Sequence, residues 1–338
     1  MRLIRAALVL LMIALFAGPA RAQQDDAELA LNPSIANKLR WVQFGIFGGR
    51  LVGSSAHYGT NVSSTTSNPL TGGREKLTVD ITSGLPGIRY EMTNAREELA
   101  IELAEGDQLS IRRTRKSNSP VVSLAFQQVT GQNLSLTLGE GSTQRILRGE
   151  SIWHLLIAHP TDCRKHLLPV LELLRPNWRL ATTATALEEA LLRRAGSHTR
   201  IDRQAWAALV AQLNSDRFAS REAADHKLRA AGYSVLAYLQ NLDRKSLDAE
   251  QRDRIREIID SLSDQQEDSV ERTVISLASD PQIWLSLLDR EPDAKRRQAA
   301  GQLAALLDGA IEFDAAADEA TRQLQIAAIR ARLAGAVK

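Results

Sequence analysis

Three of the six histidines and the only cysteine, His154, His159, Cys163 and His166, fall within thirteen positions. Imidazole nitrogen and thiolate sulfur are zinc donors, and His159, Cys163 and His166 follow an i, i+4, i+7 spacing that one continuous helix would align on a single face. Pro160 opposes that geometry by placing His159 at or before a helix start, and Arg164 and Lys165 add positive charge beside the ligands. No second ligand pair at zinc-finger spacing accompanies the cluster. The competing expectation is an amphipathic helix with Cys163 and Leu167 packed inward and the imidazoles at its rim.

A second chemistry is electrostatic. Arg112, Arg113, Arg115 and Lys116 bring four cations into five residues at an expected hairpin tip, where they could grip an anionic wall polymer or a membrane surface. Strand alternation sends Arg112 and Arg113 to opposite faces, which favours a solvated turn. The sequence holds no Gly-x-Ser-x-Gly elbow, phosphate loop, His-Glu-x-x-His pair or dinucleotide fingerprint. It therefore assigns no catalytic residue and no cofactor. Trp153, Trp206 and Trp284 sit on apolar helix stripes and are expected in the core rather than as sugar platforms.

These residues need elements to hold them. From residue 38 to about 148, apolar residues recur with period two, as in Leu77-Val79-Ile81, Ile88-Tyr90-Met92 and Leu99-Ile101-Leu103, with turn signals between the runs. Short strands on short turns imply an antiparallel β domain over residues 23–150, closed as a sandwich or a barrel. Sixteen of the 21 residues from 53 to 73 are Gly, Ser, Thr, Asn or Pro, which predicts a mobile loop. A helical connector follows over 151–198, with Ser151 as a cap, Pro169 as a kink or restart, and Thr185 with Glu188 as a capping box. From residue 199 to 338 every stretch reads helical: Trp206, Leu209, Val210 and Leu213 form one apolar stripe, Ile255, Ile258, Ile259 and Leu262 another. Asp280-Pro281 and Glu291-Pro292 read as helix starts.

The first 22 residues have the form of a secretory signal peptide: Arg2 and Arg5, twelve apolar residues from Ala6 to Ala17, then Ala20-Arg21-Ala22. Twelve apolar residues are too few for a permanent span, so a soluble product without stable membrane insertion is expected in the periplasm or outside the cell. Removing this leader takes away three arginines, and the 42 basic residues fall to 39 against 40 acidic ones. A near-neutral chain gives no warrant for nucleic-acid binding. One cysteine excludes an internal disulfide framework.

An internal comparison adds one more pattern. Leu213, Asp216, Arg221, Ala224 and Leu228 recur 75 residues later as Leu288, Glu291, Arg296, Ala299 and Leu303, which suggests two units of about 37 residues. The run Asp216-Arg217-Phe218-Ala219-Ser220-Arg221-Glu222-Ala223-Ala224, continuing to Leu228 and Gly232, resembles HEAT or armadillo-like repeats. Arg254, between the two matching stretches, stands out of that register. The resemblance covers residues 199–338 and implies a helical solenoid that binds another macromolecule, with no catalytic residues. The expectation is an α+β chain acting as an exported, non-enzymatic interaction or scaffold protein on another protein or envelope component. The alternatives are a cell-envelope enzyme or metal-binding protein using the 154–166 cluster, and a wall-polymer or carbohydrate-binding module using the β domain.

Overall fold

The computed structural model describes residue 29 and residues 31–55, 59–69, 72–82, 85–116, 122–195, 203–240, 242–243, 246–262, 267–307 and 309–336. The leader lies outside these residues. Two strands form a hairpin, β1 (Gln43–Phe47) and β2 (Arg50–Ser54). Eight more form one sheet: β3 (Thr60–Ser67), β4 (Arg74–Thr82), β5 (Leu85–Thr93), β6 (Glu97–Ala104), β7 (Gln108–Arg115), β8 (Val122–Gln128), β9 (Leu134–Leu138) and β10 (Arg145–Gly149). Each strand pairs antiparallel with its neighbour in the chain, so the sheet is a meander. Its register carries one buried row across six strands, Leu77, Tyr90, Ile101, Ile111, Phe126 and Leu136. Period-two alternation puts these side chains on one face and residues such as Arg89, Glu102, Arg112 and Gln127 on the other.

The sheet is open, with β3 and β10 as its end strands, rather than a closed barrel. The expected mobile loop at 53–73 is also corrected. Gly53 and Ser54 belong to β2, and residues 60–67 form β3, paired along β4 from Thr60 opposite Ile81 to Ser67 opposite Arg74. Edge pairing runs through backbone groups and needs no apolar face, while Thr60, Val62, Thr65 and Thr66 are β-branched and suit extended backbone.

The buried face is covered by the hairpin and by helix α1 (Pro33–Leu39), which contributes Ile35 and Leu39. Gly53 permits the close approach: a Cβ there would lie 2.6 Å from Leu103 Cδ2 and 2.9 Å from Val42 Cγ1. Gln128, fully buried, uses its amide as a strand residue would use its backbone. Its Oε1 accepts from Leu51 N–H (2.9 Å), and its Nε2 donates to Leu51 O (2.7 Å) and to Asp107 O (2.6 Å). Arg50 donates to Val129 O (2.7 Å) in the next turn. Glu75, also fully buried, accepts from Asn32 N–H (3.1 Å) at the start of α1 and from Asn68 Nδ2.

Helices occupy the rest: α2 (Ile152–Ala158), α3 (Pro160–Asp162), a π turn (Cys163–Leu167), α4 (Leu168–Leu174), α5 (Leu180–Arg194), α6 (Arg203–Gln212), α7 (Phe218–Ala230), α8 (Tyr233–Gln240), α9 (Ala249–Leu262), α10 (Val270–Leu277), α11 (Pro281–Leu287), α12 (Asp293–Leu306) and α13 (Glu319–Ala336). The fold is mixed α+β, an antiparallel sheet region followed by helices. Pro169 sits in the first turn of α4, immediately after the π turn, where its missing N–H leaves a gap in the bonding ladder. Thr185 does not cap a helix. It lies inside α5, its hydroxyl donating to Ala181 O (3.0 Å), because the apolar stripe of Leu180, Ala184, Leu187 and Leu191 starts earlier. Likewise α12 begins after Pro292, at Asp293.

Helix α2 packs on α11, and α5 packs on α10 and α12. Trp206, Val210, Leu213, Ala224, Leu228, Val235, Leu239, Ile255 and Ile258 form one buried cluster between α6, α7, α8 and α9, and α8 also rests on α10. Replacing Gln128 by Ala strands the N–H and C=O of Leu51 in an apolar layer. A loss of about 2–4 kcal/mol is expected from the urea midpoint at unchanged slope, and a loss below about 0.5 kcal/mol would show that the hairpin is not held by this amide.

Candidate functional site

Helix α2 starts where Ser151, in extended backbone, turns its Oγ toward the His154 N–H (3.4 Å). The same Oγ lies 2.8 Å from His154 Nδ1. Helix α11 starts in the same manner: Asp280 Oδ1 accepts from Gln282 N–H (2.8 Å), and Pro281 occupies the first turn. Its other oxygen, Oδ2, is 2.9 Å from His154 Nε2. One imidazole therefore joins the caps of two helices that are 126 residues apart in sequence. Ser151, His154 and Asp280 are 3%, 7% and 3% exposed.

A hydroxyl on one ring nitrogen and a buried carboxylate on the other is the connectivity of a nucleophile relay. The surroundings shut it. The void against Ser151 and His154 measures about 20 Å³, far below the several hundred of a small-molecule site. Its wall is the turn of the β1–β2 hairpin, where Gly49 O accepts from Ile152 N–H (2.8 Å) and a Cβ on Gly49 would stand 2.3 Å from Ser151 Cβ. No acyl group fits beside Ser151 in this conformation.

That turn is itself fixed by a carboxylate. Gly48 and Gly49 have φ of +58° and +79°, and both N–H groups point at Asp268, which accepts from Gly48 at 2.8 Å on Oδ1 and from Gly49 at 2.8 Å on Oδ2. Trp153 Nε1 donates to the same Oδ2 (2.7 Å), and Asp268 N–H donates to Ile46 O (2.7 Å). Asp268 thus ties the hairpin, α2 and the segment leading into α10.

The expected ligand set of His154, His159, Cys163 and His166 does not assemble. Among the described residues the group of His, Cys, Asp or Glu whose donor atoms converge is Glu150, His154 and Asp280, all within 4.8 Å of one another. Pro160 and the π turn break the helix that would have aligned the other three. His159 ends α2 and begins α3, half-buried, and burial lowers its pKa. His166 lies on the π turn with its pKa lowered by burial and then by Lys165. Cys163 is buried, its Sγ donating to Leu155 O (3.4 Å), and burial pushes the thiol up to about 12.

The basic run is corrected as well. Arg112, Arg113 and Arg115 lie within β7 rather than at a tip. Arg113 turns inward and donates to Glu97 Oε2 from Nε (2.9 Å) and Nη2 (2.7 Å), while Lys116 pairs with Glu98 (2.7 Å). Arg112 alone of the run is exposed within the strand, on the opposite face to Arg113. An open cavity of about 540 Å³ lies along β1 beside Val42, Phe44, Leu174 and Pro176. Its Arg175 is engaged by Phe44 O (3.2 Å) and by Glu267.

Asp280 and Ser151 were legible as caps, but nothing local linked them. Glu150 and Asp268 carried no motif. Because the Cys163 thiol ionises at about 12 when folded against an ordinary 9.0, its stabilising contribution is whole below pH 9 and is lost as pH climbs from 9 toward 12. Urea melts across that range should show stability falling by up to about 1.4 kcal/mol per pH unit, with Cys163→Ala flattening the slope. An unchanged slope in the variant would contradict the burial.

Comparison with known proteins finds no matching family model, no matching curated protein and no matching solved structure.

Proposed function

We propose that this is an exported, non-enzymatic interaction protein, periplasmic or secreted, that binds another protein of the cell envelope through a HEAT-like surface built by the helices after residue 199. The observation that carries this reading is a contact repeated at the 75-residue spacing. Arg221 Nη1 donates to Ser215 O (2.7 Å) and Arg296 Nη1 donates to Arg290 O (3.2 Å), each arginine reaching back six residues to the turn that follows the preceding helix. Leu213, Ala224 and Leu228 and their counterparts Leu288, Ala299 and Leu303 are all fully buried. Helices α6, α7 and α9 match α11, α12 and α13 in order and offset. Repeated helical units of this kind bury their seams against each other and leave extended outer faces for partners.

Two differences separate the matched stretches. The counterpart of α8 is an irregular segment, residues 309–318, so the two units are unequal. Arg221 reaches Glu250 (3.6 Å) where Arg296 pairs with Glu291 (2.6 Å), and Asp225 pairs with Arg229 (2.5 Å). Phe218 (64% exposed) and Leu324 (74% exposed) are the large apolar side chains these helices leave most open to solvent among the described residues. The closed surroundings of Ser151 weigh against an enzyme centred there. No helix among the described residues is long and apolar enough to cross a membrane.

A photo-crosslinking residue placed at 218 or 324, and separately at 89 or 112 on the polar sheet face, tests the assignment in the producing cells. Adducts to a discrete envelope protein from 218 or 324 are expected. Adducts arising only from 89 or 112 would contradict the helical surface and favour a wall-binding β domain.

A further inference from the structure

The geometry points to Glu150, His154 and Asp280 as a binding site for one divalent transition-metal ion of the zinc class. This set differs from the one that spacing suggested, sharing only His154 with it. Its three donors are one imidazole nitrogen and two carboxylates, a mixture that suits a borderline cation such as Zn²⁺ better than the all-oxygen sites of Mg²⁺ or Ca²⁺. The donor atoms already lie within 4.8 Å of one another. A tetrahedral ion with bonds of about 2.1 Å separates its ligands by about 3.4 Å. The His154 Nε2 to Asp280 Oδ2 distance of 2.9 Å therefore opens by a few tenths of an ångström, while Glu150 closes in.

The outer contacts of such a site are in place. Ser151 Oγ holds His154 Nδ1 at 2.8 Å, so with its proton on Nδ1 the ring presents the bare Nε2 to an ion. Gln282 N–H holds Asp280 Oδ1 at 2.8 Å, which leaves Oδ2 facing the ring. Two carboxylates balance the charge of a divalent ion; Glu150 is half-buried and the other two ligands are buried. Ligands come from the β10 to α2 junction and from the start of α11, so the ion would fasten the sheet-side helix to the second repeat unit.

The test uses the full chain stripped with a chelator and titrated with Zn²⁺ alone, read by calorimetry and by elemental analysis after gel filtration. One ion per chain is expected, with affinity weakened at least tenfold by Glu150→Gln and by Asp280→Asn and unchanged by His159→Gln or His166→Gln. Asn retains the capping oxygen of Asp280, and circular dichroism checks that both variants fold. Should Asp280→Asn fail that check, Glu150→Gln decides alone, since Ser151 is the N-cap of α2. Absence of stoichiometric uptake, or uptake indifferent to Glu150→Gln, overturns the site.

Discussion

One carboxylate joins the β1–β2 hairpin, α2 and the segment leading into α10. Asp268 receives both N–H groups of a Gly-Gly turn and the indole N–H of Trp153, and its own N–H binds Ile46 O. Charge-assisted hydrogen bonds of this kind are roughly twice as strong as neutral ones, and Asp268 makes them from a half-buried position. The hairpin so fixed lies over the sheet's apolar face, where Gln128 receives Leu51. The consequence for chemistry is direct: the same turn presses on Ser151 and closes the space a substrate would need.

The Ser151, His154, Asp280 chain then serves architecture. Each end residue satisfies orphan N–H groups at a helix start, a contribution of about 1 kcal/mol apiece. The imidazole between them converts two local caps into one tertiary contact that brings α2 onto α11. Contact between α2 and α11 ties the start of α11 to the sheet side, and an ion at Glu150 would stiffen that joint further.

How much of this was legible depends on how local each signal is. Alternation at Leu77-Val79-Ile81 and its neighbours specified the meander, since a one-residue slip would expose the entire row. The 3.6-residue stripe of Trp206, Val210 and Leu213 specified α6, whose buried cluster also takes in Ala224 and Leu228. Composition misled at 60–67, where polarity was read as mobility although an edge strand needs only its backbone. Spacing misled at His159 to His166, because i, i+4, i+7 has meaning only on an unbroken helix, and Pro160 with the π turn breaks it. Asp280 and Asp268 act on residues more than a hundred positions away, and no window along the chain contains both partners.

Hydrogen exchange on an Asp268→Ala variant examines most directly whether one carboxylate couples sheet and helices. Protection should fall together in the hairpin over 43–54, in α2 and in α10, as a unit that opens cooperatively. A loss confined to the turn at 47–50, with α2 and α10 protected as before, would contradict that coupling.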